Sequence, residues 1–185
     1  AKAIITSDTH HKEVAISFDL GGHRVRIGGC VKGAGMISPS MATMLCFITT
    51  DANVPREALR KAVVEGVDES FNRITIDGDM STNDTVLVLA NGRSGMPPIR
   101  RGSALCKQFR EALRWVMLEL AQAVVRDGER VTKFVTVEVK GARTYLDAKL
   151  VAEAVCKSAL VKSSWNGGDP NWGREPQEQW GTLIA

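Results

Sequence analysis

Between Ser103 and Arg126 apolar residues recur at helical spacing: Leu105, Phe109, Ala112, Leu113, Val116, Leu120 and Val124. A stripe of that length predicts one long amphipathic helix whose inner face must be covered. Ser103 suits the N-cap of this helix and Gly128 its stop. The partners are written elsewhere in the chain. Val14, Ile16, Phe18 and Leu20 alternate with Glu13, Ala15, Ser17 and Asp19, so residues 13–20 read as a half-buried strand. Gly21-Gly22 is a hairpin signal, and Val25 and Ile27 resume the alternation. Short apolar runs at 44–50 and 85–90 read as buried strands, and Val135, Val137 and Val139 mark another within 133–140. Two shorter helices are expected. One starts after Pro55, with Leu59, Ala62, Val63, Val67 and Phe71 inward; the other covers 145–161, with Leu146, Leu150, Val151, Ala154 and Val155 inward. Helices together with hairpin-linked strands favour an α/β fold of layered sheets flanked by helices over a doubly wound parallel sheet.

The 185 residues, 44% hydrophobic and 24% charged, have the balance of an ordinary globular domain and suffice for a sizeable core. A formal net charge of +3 gives no footprint for nucleic acid. No apolar run approaches the roughly 18–20 residues that span a bilayer. No secretory leader is visible, and the first residue is Ala1 rather than Met, which leaves the native N-terminus open. Cys30, Cys46, Cys106 and Cys156 are widely spaced among apolar neighbours, so buried reduced thiols in the cytoplasm are expected and zinc is not. His10 and His11 would face opposite ways in a strand, which argues against a metal there.

Two segments carry more than packing. Residues 32–51 run Lys-Gly-Ala-Gly-Met-Ile-Ser-Pro-Ser-Met-Ala-Thr into an apolar strand. Glycines let backbone approach a ligand, and Lys32 could meet a carboxylate. The spacing is not that of a Walker loop, and a tight inter-strand loop explains it equally. Residues 71–85 are dense in Asp, Ser, Thr and Asn. Gly78 falls too early for an EF-hand and no glutamate closes the loop, so a polar-lined or simply solvated turn is expected.

These segments closely resemble the glutamate N-acetyltransferase (ornithine acetyltransferase) family. The resemblance rests on Lys32-Gly33-Ala34-Gly35-Met36-Ile37, Pro39, Met41-Ala42-Thr43-Met44-Leu45 and Thr49-Thr50-Asp51-Ala52. It extends to Phe71 through Thr85, to Ile5-Thr6-Ser7-Asp8-Thr9, to Asp127-Gly128-Glu129 with Thr132-Lys133-Phe134, and to Asp169-Pro170-Asn171-Trp172-Gly173-Arg174. Residues 1–174 thus look like part of one domain spanning that family's self-cleavage site, and 175–185 like an atypical tail.

The resemblance implies a layered α-β-β-α sandwich, here truncated at both ends. It implies self-cleavage between Ala42 and Thr43, which frees the Thr43 amine beside its own hydroxyl. Thr43 would be the nucleophile, taking the acetyl group of N-acetylornithine and passing it to glutamate through an acetyl-threonine intermediate. An α-amine with an ordinary pKa near roughly 8 can serve as the base. No metal or organic cofactor is implied, although acetyl-CoA is an alternative donor. Thr6, Lys32, Thr43 and Glu129 occupy substrate-binding positions, with Lys32 suited to the α-carboxylate and Glu129 to an ammonium or proton relay. Arg130-Val131 departs from the family's Gly-Ala. The family assembles as a hetero-tetramer of two cleaved halves, in the cytoplasm, with neither nucleic acid nor membrane as partner. Its Thr-Gly oxyanion hole and two further substrate contacts fall outside this stretch, so this chain alone is expected to be inactive. A self-processing amidohydrolase or aminopeptidase and a non-catalytic fragment stay open as alternatives.

Overall fold

The structure is a computed structural model that describes residues 1–38, 44–79, 82–169 and 180–184. Strand β1 (Lys12–Leu20) turns through Gly21 and Gly22, at φ 67° and 82°, into β2 (His23–Lys32). Two successive positive φ values are what a type I′ hairpin turn needs, and glycine adopts them without a Cβ clash. Strand β3 (Leu45–Thr50) pairs antiparallel with β2, and β4 (Thr85–Ala90) pairs parallel with β3. The sheet order is β1-β2-β3-β4, which makes β3 internal. The Thr49-Thr50-Asp51-Ala52 block closes the end of β3. Thr50 Oγ1 donates to the Arg26 carbonyl at 2.8 Å, and the Asp51 carboxylate accepts from Arg26 N–H at 2.7 Å.

Helix α2 (Ala104–Arg126) lies across β1 and β2, and α1 (Arg56–Asp68) packs beside it. Ser103 caps α2, its hydroxyl accepting from Cys106 N–H at 3.1 Å. The stripe read from sequence is the buried face: Phe109, Leu113, Val116, Leu120 and Val124 sit against Val25, Ile27, Val31, Cys46 and Ile48 in one core. Each such side chain contributes roughly 1.5–3 kcal/mol by leaving water. Among the described residues the sheet's other face exposes apolar side chains. Phe47 and Leu87, register partners, are 37% and 42% exposed, and Leu89 is 56% exposed. This is the side on which a sandwich packs its second sheet, so α1, α2 and the four-stranded sheet form one helix layer and one sheet layer of the layered α/β fold.

A separate two-stranded sheet, β5 (Thr136–Val139) with β6 (Trp180–Ile184), carries helix α3 (Tyr145–Lys157). The expected single helix over 145–161 is instead two. Ser158 is extended at ψ 112°, and its hydroxyl caps α4 (Ala159–Gly167) through Val161 N–H. The inward face of α3 also differs. Ala152 and Cys156 are buried, with Ala148 and Val155 beside them, while Leu146, Leu150 and Val151 are exposed. The smaller side chains let the helix sit close to the narrow sheet, and helical spacing then turns the leucines outward. Gly128 likewise is not the left-handed residue after α2; Asp127 ends the helix and Arg130 takes the positive φ, 57°.

Gly29 on β2 is closely packed within the core. A Cβ there would lie 2.9 Å from Ile48 Cγ1 and 3.1 Å from the Phe47 carbonyl oxygen, whereas at Gly28 the nearest atom is 3.6 Å away. Gly29→Ala should therefore cost about 1–3 kcal/mol, and Gly28→Ala much less. Urea midpoints of the two variants check this; equal midpoints would contradict it.

Candidate functional site

Ala42 and Thr43 lie outside the described residues, but the backbone on both sides of residues 39–43 is held by the polar segment 71–85. Upstream, Asp77 accepts from Met36 N–H at 2.6 Å and Ile37 N–H at 3.1 Å. Met36 takes φ 52°, a left-handed conformation uncommon for a residue with a Cβ, and it turns consecutive N–H groups toward one carboxylate. The Ile37 carbonyl accepts from Ile76 N–H at 2.8 Å and Thr75 Oγ1 at 3.1 Å. Downstream, Asp84 accepts from Met44 N–H at 2.7 Å, and Thr85 N–H donates to the Met44 carbonyl at 3.0 Å. Burial pushes the Asp84 carboxyl up, against the opposing pull of Met44 N–H and the Lys32 charge. Of the two readings of segment 71–85, a polar-lined loop and a simply solvated turn, the hydrogen bonds favour the first: it clamps the backbone at both flanks of residues 39–43.

Lys32 is buried at the end of β2 and its charge reaches Asp84. Glu129 lies against the glycine loop that follows Lys32. Its N–H donates to the Ala34 carbonyl at 2.8 Å, and a Cβ on Gly35 would be 3.1 Å from its carboxyl carbon. Gly35 therefore makes room for Glu129. Glu129 is exposed, so the buried-charge argument for its partner does not apply. Thr6 is also exposed, with its N–H donating to Asp8 at 3.1 Å.

Sequence reasoning missed the buried ions behind these three residues. Lys12 Nζ contacts Asp8 Oδ1 at 2.5 Å and also Asp127 Oδ2, and all three side chains are essentially inaccessible to water. Burial pushes the Asp8 carboxyl up, but Gly33 N–H, Lys12 and Thr6 N–H together outweigh it and hold the pKa at about 2. Asp127 is also lowered: burial opposes, and Lys12, Thr9 and His10 prevail. The signal was present, because Lys12 falls in the same alternation as Val14, Ile16, Phe18 and Leu20, on the face that becomes the core.

Two cavities flank the clamp. One of about 390 Å³ is lined by Ser38, Met44 and Asp84 on its polar side and by Val63, Val67 and Phe71 on the other. The Ser38 hydroxyl is buried, with no hydrogen-bond partner among the described residues. The other, about 220 Å³, is bordered by Glu129, Thr75, Lys162 and Trp165. Among the described residues no group of three His, Cys, Asp or Glu side chains is arranged to hold a metal ion, and no helix is long and apolar enough to cross a membrane.

A sequence profile of the ArgJ family matches residues 1–175. The chain belongs to the ArgJ family. It is 55% identical over 174 residues to an arginine biosynthesis bifunctional protein ArgJ of Symbiobacterium thermophilum, and 53% identical over 176 residues to a glutamate N-acetyltransferase of Methanocaldococcus jannaschii. Each comparison covers 94% of this chain but 43% of the relative, so the chain spans less than half the length of these ArgJ relatives. The crystal structure of the Bacillus halodurans ArgJ protein matches with a TM-score of 0.69 at 43% identity, over 71% of this chain and 62% of that one. The layered α/β fold is therefore the ArgJ fold.

The buried carboxylates give a signed pH dependence. A carboxyl whose pKa is lowered by folding stabilises the fold fully above its unfolded value, 3.8, and loses that contribution as pH falls toward about 2. At about 1.4 kcal/mol per unit, Asp8 contributes on the order of 2 kcal/mol. Wild-type stability should fall between pH 4 and 2, and Asp8→Asn should be less stable at neutral pH with a shallower acid loss. Urea midpoints across pH 2–7 check this, and superimposable curves would contradict it.

Proposed function

We propose that this chain is part of an acetyltransferase of arginine biosynthesis that moves the acetyl group of N-acetylornithine to glutamate, with Thr43 as nucleophile after cleavage of the Ala42–Thr43 bond. The observation that carries the reading is the family match across residues 1–175, with the Lys32–Leu45 and Phe71–Thr85 blocks present in sequence. Cleavage converts an amide nitrogen, which is no base, into a free amine beside the Thr43 hydroxyl. The amine takes the hydroxyl proton as Oγ attacks the acetyl carbonyl. The amide C–N bond then breaks, the proton passes to the departing nitrogen, and ornithine leaves. The glutamate amine attacks the resulting ester, its proton returns through the Thr43 amine, and the hydroxyl is restored.

The clamp at Asp77 and Asp84 supports this reading by fixing the backbone on both sides of residues 39–43, since placement of a nucleophile dominates such reactions. Lys32 would bind the substrate α-carboxylate, Glu129 would meet the ornithine ammonium or relay a proton, and Thr6 would complete the contact. The oxyanion donors belong to a Thr-Gly pair outside residues 1–185, and acetyl-CoA is an alternative donor. The complete protein would act in the cytoplasm as a hetero-tetramer of cleaved halves.

Thr43→Ala in the full-length protein should abolish chain cleavage and lower acetyl transfer by about 10⁴-fold or more, while Thr43→Ser keeps part of both. Electrophoresis and a transfer assay with N-acetylornithine and glutamate test this. Near wild-type transfer by the alanine variant overturns it, and release of acetate without transfer to glutamate points to a hydrolase instead.

A further inference from the structure

We infer that Lys12 is a positioning residue for acetyl transfer, the buried cation that ties together the three segments carrying Thr6, Lys32 and Glu129. The inference rests on the acetyltransferase reading above. Those three residues are far apart in sequence, and each lies within two positions of an anchor on one ion cluster. Asp8 Oδ2 accepts from the N–H of Thr6 itself. Asp8 Oδ1 accepts from Gly33 N–H at 2.8 Å, the residue after Lys32. Asp127, two residues before Glu129, is held by Lys12 and accepts from Thr9 N–H and the Thr9 hydroxyl. Lys12 sits between the two carboxylates with its side chain wholly buried.

The cluster leaves little freedom. Asp8 and Asp127 carry two negative charges on side chains that are essentially inaccessible from the surface, and among the described residues Lys12 is the buried cation that contacts both. Its ammonium donates to both, so the N-terminal segment, the end of β2 and the end of α2 must stay in register. Among the described residues, Asp8 and Asp127 are the titratable groups that contact Lys12, and from the 33–35 loop the Gly33 N–H joins the cluster. His10 Nδ1 lies 3.1 Å from Asp127 Oδ1 on its outer, solvent-facing side. A misplacement of about 1 Å in a site of this kind can cost on the order of a hundredfold in rate. The α2 core, where Leu113, Val116 and Leu120 are buried, carries most of the apolar burial, and the cluster adds both stability and the register of the three segments.

Lys12→Met keeps the length of the side chain and removes its charge. The two carboxylates then face each other without a cation, and one must take up a proton to relieve the repulsion. A shared proton, taken up more readily at lower pH, partly rebuilds the link between Asp8 and Asp127. The pH profile of the variant should therefore shift toward acid, a change that simple loss of packing would not produce. Lys12→Met/Asp127→Asn restores the cluster's net charge but loosens the tie to Glu129.

The test measures kcat and KM for N-acetylornithine and glutamate, thermal midpoint and pH profile in full-length wild type and both variants. Lys12→Met should lose about a hundredfold in kcat/KM, with its optimum moved to lower pH. The double variant should be the more stable of the two and still fall at least about tenfold short of wild type. If Lys12→Met fails to fold, the double variant decides. Wild-type kcat/KM and pH profile in whichever variant folds overturn the inference. A wild-type control that does not transfer acetyl overturns the acetyltransferase reading itself, and with it the reaction that Lys12 would position.

Discussion

The packing of α2 across the β1–β2 hairpin is the interaction on which the rest depends. It buries Phe109, Leu113, Val116, Leu120 and Val124 against Val25, Ile27 and Val31. It also fixes where the helix ends. That end delivers Asp127 to Lys12 at the start of β1, and two residues later it sets Glu129 against the loop that leaves β2. Scaffold and site are thus one object. An apolar stripe places a helix, the helix places a carboxylate, and the carboxylate locks the register of three segments at one edge of the sheet. Hydrophobic burial supplies the stability without direction, and the ion cluster supplies the direction.

The second constraint acts on the described backbone at either side of residues 39–43. The two flanks are gripped by carboxylates only seven residues apart in sequence, Asp77 and Asp84. Aspartate suits this work because it accepts several N–H groups at once. The turn at Met36 presents two consecutive donors to one such acceptor, and the strain of its left-handed φ is offset by those bonds. A nucleophile placed between two such anchors, as proposed for Thr43, would gain from them, since freedom removed before the reaction does not have to be removed during it.

Much of this was legible in the sequence. The hairpin at Gly21-Gly22, the strand read at 44–50 and found internal as Leu45–Thr50, and the long helix followed from periodicity and turn chemistry, and they hold because tertiary contacts agree with local preference. The inward face of α3 was not legible, because Leu146, Leu150 and Val151 make the stronger apolar pattern while the close approach of the small sheet selects Ala152 and Cys156. The break at Ser158 was hidden because serine is tolerated within helices as well as at their caps. Thr6, Lys32 and Glu129 are candidates that family motifs pick out, and their surroundings differ. Lys32 is buried, whereas Thr6 and Glu129 are exposed. Lys12 was overlooked because a lone lysine at a strand start ordinarily reads as surface. Its place in the alternation marked it as inward, but two carboxylates distant in sequence were needed to make it stable there.

The central claim is that the Thr43 hydroxyl carries the acetyl group between donor and acceptor. The most direct measurement is mass spectrometry of the full-length protein incubated with N-acetylornithine and no glutamate. The account predicts a chain that begins at Thr43 and bears one acetyl group on that residue, which disappears when glutamate is added. Transfer to glutamate by a protein whose Ala42–Thr43 bond is intact, or an acetyl group carried on any other residue, would contradict it.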